Sequence, residues 1–192
     1  MGKVILHFAP ERQLRERLRR VSRKHTTADF DRGDCDLKLD MSSMPSIEDS
    51  SFDVVIACDV LEHVPDDLAA MRELHRILRS GGVAILSVPQ MDSPAMTDQD
   101  PTVRSEADRE KRFGQKDHVR MYGDDFIERL RGVGFEVDVI TDADFKPDAV
   151  SSLVLRPPVR SPRSLATNER RIYFAKKSKN NSKISAHDVA LL

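Results

Sequence analysis

Cysteine is scarce in this chain: Cys35 and Cys58 are the only two in 192 residues. Their spacing suits no metal site, and none is expected. They read as free thiols in a reducing cytoplasm rather than as a disulfide frame. Long apolar runs are missing too, and nothing approaches the roughly 20 residues that a membrane-spanning helix needs. The N-terminal apolar run, Val4 to Phe8, is too short for a signal peptide. Leu6 stands where a myristoylation signal needs serine or threonine. Neither charge dominates: 31 basic residues face 32 acidic ones, for a net charge of −1. That balance argues against bulk binding to nucleic acid or an acidic membrane. No internal repeat is visible, and no Gly-x-Gly-x-x-Gly occurs anywhere. Length and an ordinary globular composition fit one domain with a sizeable core.

The most informative stretch runs from Ser51 to Pro89. Phe52 to Ala57 is nearly unbroken and apolar, as a strand covered on both faces requires. Pro65, Asp66 and Asp67 then open a helix, where acidic side chains meet exposed first-turn amides. Leu68, Met71, Leu74 and Leu78 recur at helical spacing and predict one face packed on a sheet. Arg76 and Arg79 fall in the last turn, and Gly81-Gly82 is expected to stop the helix. Val83 to Val88 is a second buried strand. A crossover of this length makes the two strands parallel neighbours.

Val4 to Phe8 reads as the first strand, followed by a helix from about Pro10 to Ser22 with Leu14, Leu18 and Val21 on one face. Thr26 to Phe30 and Leu37 to Leu39 are two more strands, joined by a loop from Asp31 to Asp36. The polar segment Gln90 to Gln115 reads as a lid or a disordered loop, with a short exposed helix from Arg104 to Arg112. It leads into a cluster of His118, Arg120 and Tyr122. A helix capped by Gly123 or Asp124, with Phe126, Ile127, Leu130 and Val133 on one face, ends at Gly134. Phe135 to Ile140 is the next strand. Leu153 to Leu155 is a short strand or packing strip, and Arg171 to Lys176 a final strand. The domain is expected over residues 1–176, with a mobile tail over 177–192.

Asp53-Val54-Val55, then Val60-Leu61-Glu62-His63-Val64, then Glu73-Leu74-His75-Arg76-Ile77-Leu78-Arg79-Ser80-Gly81-Gly82 stand in order. Together they resemble the fourth strand, its loop, the following helix and the turn of class I S-adenosylmethionine-dependent methyltransferases of the type 11 kind. The resemblance spans roughly residues 3 to 140. Most members carry a glycine-rich loop after strand one. This chain has His7-Phe8-Ala9-Pro10-Glu11 there and is similar to a subset with that junction. The resemblance implies a Rossmann-like three-layer α/β/α sandwich. Its seven-stranded sheet is mostly parallel with one antiparallel strand, and the helix before strand one is absent.

The same resemblance implies S-adenosylmethionine as cofactor. His7, Phe8, Ala9, Pro10 and Glu11 would form the junction that receives it, with small Ala9 permitting close approach and the helix N-terminus meeting its carboxylate. Asp29 would hold the ribose, Asp40 would accept from the adenine amino group, and Met41 would line the adenine slot. Asp59, Val60, Leu61 and His63 follow strand four and lie near the methyl group. Plainer roles stand beside these. His7 packs at a strand end, Asp31 and Asp34 rival Asp29, Asp40 caps a turn, and His63 holds its loop by a backbone hydrogen bond.

The expected activity is methyl transfer to an unidentified acceptor in the cytoplasm. The competing reading is a non-catalytic methyltransferase-like module with a degenerate cofactor loop. A nicotinamide oxidoreductase is opposed by the missing glycine fingerprint and by Leu61-Glu62-His63-Val64. No catalytic residue is assigned, with His118, His63, Asp59 and Tyr122 as candidate general bases. His118, Arg120 and Tyr122 are expected to face the acceptor, or else Arg120 pairs with acids and Tyr122 packs at the helix start. The subset tends to carry a zinc-ribbon-like segment upstream. Without a helix before strand one, the face around Val4 and Leu6 is expected to lie bare and to seek a second copy or a partner protein.

Overall fold

The computed structural model describes residues 2–91, 96–145 and 170–179. The expectations for Leu153 to Leu155 and for most of the tail fall outside these residues. Val4–Phe8 (β1) lies inside the sheet. It pairs in parallel with Lys24–Asp29 (β2) on one side and with Phe52–Cys58 (β4) on the other. Leu37–Lys38 (β3) extends the sheet beyond β2, and Leu78–Ser87 (β5) extends it beyond β4, both in parallel. Ile172–Lys177 (β9) then runs antiparallel between β5 and Phe135–Ile140 (β8). The seven-stranded order is β3-β2-β1-β4-β5-β9-β8, which is the Rossmann-like arrangement with one inserted antiparallel strand.

Among the described residues, four α-helices join the strands: Arg12–Val21 (α1), Asp67–Ile77 (α2), Glu106–Phe113 (α3) and Phe126–Gly132 (α4). Asp66 caps α2 by accepting from the Ala69 amide at 2.8 Å, as the acidic pair predicts. Ala70, Met71, Leu74 and Ile77 give α2 a fully buried face, which packs into one core with Leu6, Val55, Ala84 and Leu86 of the strands and Phe126 and Leu130 of α4. Burial of side chains this size stabilises by about 1.5–3 kcal/mol each.

Three differences from the sequence reading have physical causes. The helix α2 ends before the glycine pair: Leu78 is already extended and pairs with Phe52, so the chain turns into β5 three residues before Gly81. Gly81 instead takes a left-handed turn, φ 76°, inside that strand. Secondly, Asp98–Gln99 (β6) and Arg120–Met121 (β7) form a small antiparallel ribbon that anchors the polar segment. Two-residue strands leave no periodicity to read. Thirdly, Leu6 is fully buried and Val4 partly so within the single chain, so the expected bare patch does not exist at those residues. The exposure falls on α1 instead, which has no fully buried residue and leaves Val21 67% exposed.

Candidate functional site

The chain leaves β1 toward β2 and leaves β4 toward β5, so β1 and β4 are neighbours whose connections diverge. Such a switch point opens a crevice at the carboxyl ends of the strands. Both strands end there on a left-handed residue that is not glycine: Ala9 at φ 44° and Asp59 at φ 53°. Each is pinned away from the crevice. The Ala9 amide donates to the Ala28 carbonyl of β2 at 2.9 Å, and the Asp59 amide donates to the Ser87 carbonyl of β5 at 2.9 Å. A left-handed alanine costs roughly 1–2 kcal/mol, and strain of this kind concentrates at functional sites.

A cavity of about 550 Å³ lies beyond these ends, lined by Glu11, Asp59, Glu62, His63, Gln90 and Arg170 among others. That volume suits a small-molecule site. Of the sequence-predicted cofactor residues, Glu11, Asp59 and His63 line it. Asp59 is held in place, its carboxylate accepting from Ser87 Oγ and from Arg170, each at 3.2 Å. Cys58 also lines the cavity, and burial pushes its thiol up, which keeps it neutral.

His7 is fully buried on β1, 3.3 Å from His25 through Nδ1 and 3.3 Å from Glu11 Oε2 through Nε2. Burial lowers its pKa against the pull of Glu11. Phe8 and Leu61 belong to the core, Pro10 is buried, and Val60 packs partly against the core. Glu11 is the N-cap of α1 yet caps no amide with its side chain. The first-turn donors of this ten-residue helix therefore have no side-chain acceptor at the cap and can meet a ligand carboxylate. Asp29 Oδ1 accepts from the amides of Asp31 and Arg32 at 2.9 and 3.0 Å, leaving Oδ2 for a ligand. Asp31 and Asp34 instead meet Lys38 and Arg32 in exposed pairs. Asp40 caps a turn, its Oδ1 accepting from both the amide and the hydroxyl of Ser42. Met41 is buried in the core.

Arg120 and Tyr122 do not line the cavity. The Arg120 guanidinium, 3% exposed, donates to the carbonyls of Leu61, Val64 and Pro65. It clamps the 3₁₀ turn Leu61–His63 from beneath. The Tyr122 hydroxyl donates to Asp67 Oδ2 at 2.8 Å, and Arg129 grips both oxygens of the same carboxylate. Neither side chain has spare polar capacity directed at an acceptor, so both serve the fold. Sequence reasoning passed over Glu62, which lines the cavity at 1% exposure with no hydrogen-bond partner on either carboxylate oxygen. Desolvation pushes its pKa up to about 8. Its side chain sits one residue before an expected one, and only the three-dimensional turn reveals its burial.

Residues 11–86 match the model of a methyltransferase domain family. Over those residues the chain is similar to a methyltransferase domain, and its sheet has the fold of class I S-adenosylmethionine-dependent methyltransferases. That match supports S-adenosylmethionine as cofactor and methyl transfer as reaction class. No curated protein matches the chain. Among solved structures, an S-adenosylmethionine-dependent methyltransferase from Mesorhizobium loti superposes with a TM-score of 0.59 at 16% identity, covering 91% of each chain. The 1,6-didemethyltoxoflavin-N1-methyltransferase of Burkholderia thailandensis, holding its substrate and S-adenosylhomocysteine, gives 0.58 at 15% identity over 92% of this chain and 72% of that one. The cyclase SpnF gives 0.62 at 17% identity over 92% and 75%. At these identities the likeness speaks for the fold. No described helix is long and apolar enough to cross a membrane.

Proposed function

We propose that the chain is a methyltransferase acting on a small-molecule nucleophile, a hydroxyl or amine, delivered into the cavity beyond β4 and β5. The observation that carries the reading is the cavity itself, about 550 Å³ at the switch point between two left-handed strand ends. The residues fit the cofactor on three counts. The α1 N-terminus lacks a side-chain cap, Ala9 keeps the left-handed turn that glycine usually supplies, and Asp29 has an oxygen free of turn contacts. The junction is therefore altered in sequence but not degenerate in conformation, which disfavours a non-catalytic module.

In this reading the α1 amides take the cofactor's carboxylate, Asp29 takes the ribose hydroxyls, and Asp40 lies toward the adenine. The bound sulfonium supplies a methyl group that is already activated. The chain's own task is to place the nucleophile in line and exclude water. Asp59, on the cavity wall, orients the acceptor and receives its proton where it arrives protonated. The test is S-adenosylhomocysteine release with a panel of small phenols, alcohols and amines set against proteins and RNA. Turnover with a small acceptor, reduced in Asp59→Asn, is expected. Turnover confined to macromolecules would contradict the acceptor class.

A further inference from the structure

Glu62, His63 and His118 each offer a ligand atom, and those atoms lie within 4.8 Å of one another. We propose that these residues bind a divalent transition-metal ion in the wall of the cavity, as a two-histidine, one-carboxylate set with one side open to the acceptor. The motif is assembled from two distant segments. The 3₁₀ turn after β4 brings Glu62 and His63, and the loop before β7 brings His118. The Val119 amide stitches the two together by donating to the Glu62 carbonyl at 2.9 Å.

Three observations carry the site. First, the Glu62 carboxylate is 1% exposed with neither oxygen hydrogen-bonded. A buried polar group without a partner is rare and costs several kcal/mol unless something satisfies it. Secondly, His118 is 2% exposed, and its Nδ1 lies 3.0 Å from the Phe113 carbonyl. A carbonyl can only accept, so Nδ1 carries the proton and Nε2 presents a lone pair. That Nε2 is buried without a partner. Thirdly, His63 repeats the pattern. Its Nδ1 faces the Asp117 carbonyl at 3.3 Å and the Asp117 carboxylate at 3.4 Å, while Nε2 faces Glu62 Oε1 at 4.0 Å. A metal-binding histidine characteristically donates its other ring N–H to a carbonyl or carboxylate, fixing the tautomer and ring direction.

The geometry is close to what an ion requires. Ligand atoms around a tetrahedral ion at roughly 2.1 Å stand roughly 3.4 Å apart, so the set, within 4.8 Å, must contract by up to about 1.4 Å. His63 can supply that movement, since its side chain is 35% exposed while the other two are fixed by packing. His63 and His118 already meet edge to face, centroids 4.8 Å apart. Arg120, whose charge acts on Glu62, is engaged by the carbonyls of Leu61, Val64 and Pro65. Mixed nitrogen and oxygen ligands with no thiolate suit zinc, iron(II), cobalt(II) or manganese(II) rather than calcium.

The inference stands on ligand geometry, and only the open side's role rests on the methyl-transfer reading, so binding is tested apart from turnover. Chelator-treated full chain is titrated with cobalt(II) and followed by visible absorption, then with zinc by calorimetry. One ion per chain with ligand-field bands is expected. Glu62→Gln and His63→Gln should each weaken binding by more than about tenfold, the scale that even outer partners of metal ligands command. His25→Asn, outside the site, should leave affinity unchanged, and far-ultraviolet circular dichroism checks that every variant is folded. Absence of cobalt bands in folded protein would overturn the proposal. So would metal binding that both glutamine variants leave intact.

Discussion

Ala9 and Asp59 end neighbouring parallel strands, one on β1 and one on β4, and both hold left-handed backbone at φ 44° and 53°. The crevice between the diverging connections depends on those two turns. A bulkier branched residue at position 9 cannot adopt that conformation without strain. Ala9→Val should therefore cost more than about 1–2 kcal/mol and weaken S-adenosylhomocysteine binding. Ala9→Gly should be neutral or stabilising by up to about 1 kcal/mol with binding retained. Chemical denaturation paired with calorimetry reads both.

Arg120→Ala should destabilise by at least about 3 kcal/mol, because three carbonyls lose a charged donor in a buried site. Urea unfolding measures it. Normal stability with a raised KM for the acceptor would instead return Arg120 to the substrate side.

The Asp67 carboxylate, 3% exposed, accepts from Tyr122 and from Arg129. Removing one hydroxyl donor from a carboxylate that keeps its cation is milder than stripping a buried carboxylate of that cation. Tyr122→Phe should cost about 1.5–3 kcal/mol, and Arg129→Ala about 3–5 kcal/mol. Thermal or urea unfolding of the two variants tests the order, and equal losses would contradict it.

Burial lowers the pKa of His7 and of its neighbour His25 below the ordinary histidine value. The unfolded chain then binds more protons than the folded one as pH falls through about 6.5. Their contribution to stability is full above that pH and is lost on acidification toward the lowered folded values. His7 faces Glu11, and His25 faces Arg19, Arg15 and Asp36. The melting temperature of His7→Gln should depend less steeply on pH between 7.5 and 5 than that of the wild type. An equal or steeper slope would contradict the assignment.

The fold was largely legible because its signals are local. Phe52 to Ala57 and Val83 to Val88 carry enough apolar residues to name buried strands, and Pro65-Asp66-Asp67 marks a helix start by chemistry. The cavity wall was legible only where a residue's place follows from a strand end, as for Glu11 and Asp59, which line it. Arg120 and Tyr122 look like acceptor contacts in the sequence because they follow a lid-like polar segment and offer cationic and hydrogen-bonding groups. Their partners, the Leu61 carbonyl and Asp67, lie more than fifty residues away and are brought close only by folding. Glu62 was missed for the same reason: nothing in Leu61-Glu62-His63-Val64 says which side chain turns inward.

The most direct measurement is calorimetric titration of the full chain with S-adenosylhomocysteine, wild type against Asp29→Asn. That substitution keeps the oxygen that accepts from Asp31 and Arg32 and removes only the charge offered to the ribose. The account predicts one site in the wild type and an affinity about tenfold or more weaker in the variant, the scale of a lost charge-assisted hydrogen bond. No binding to folded wild-type protein, or equal affinity in the two, would contradict it.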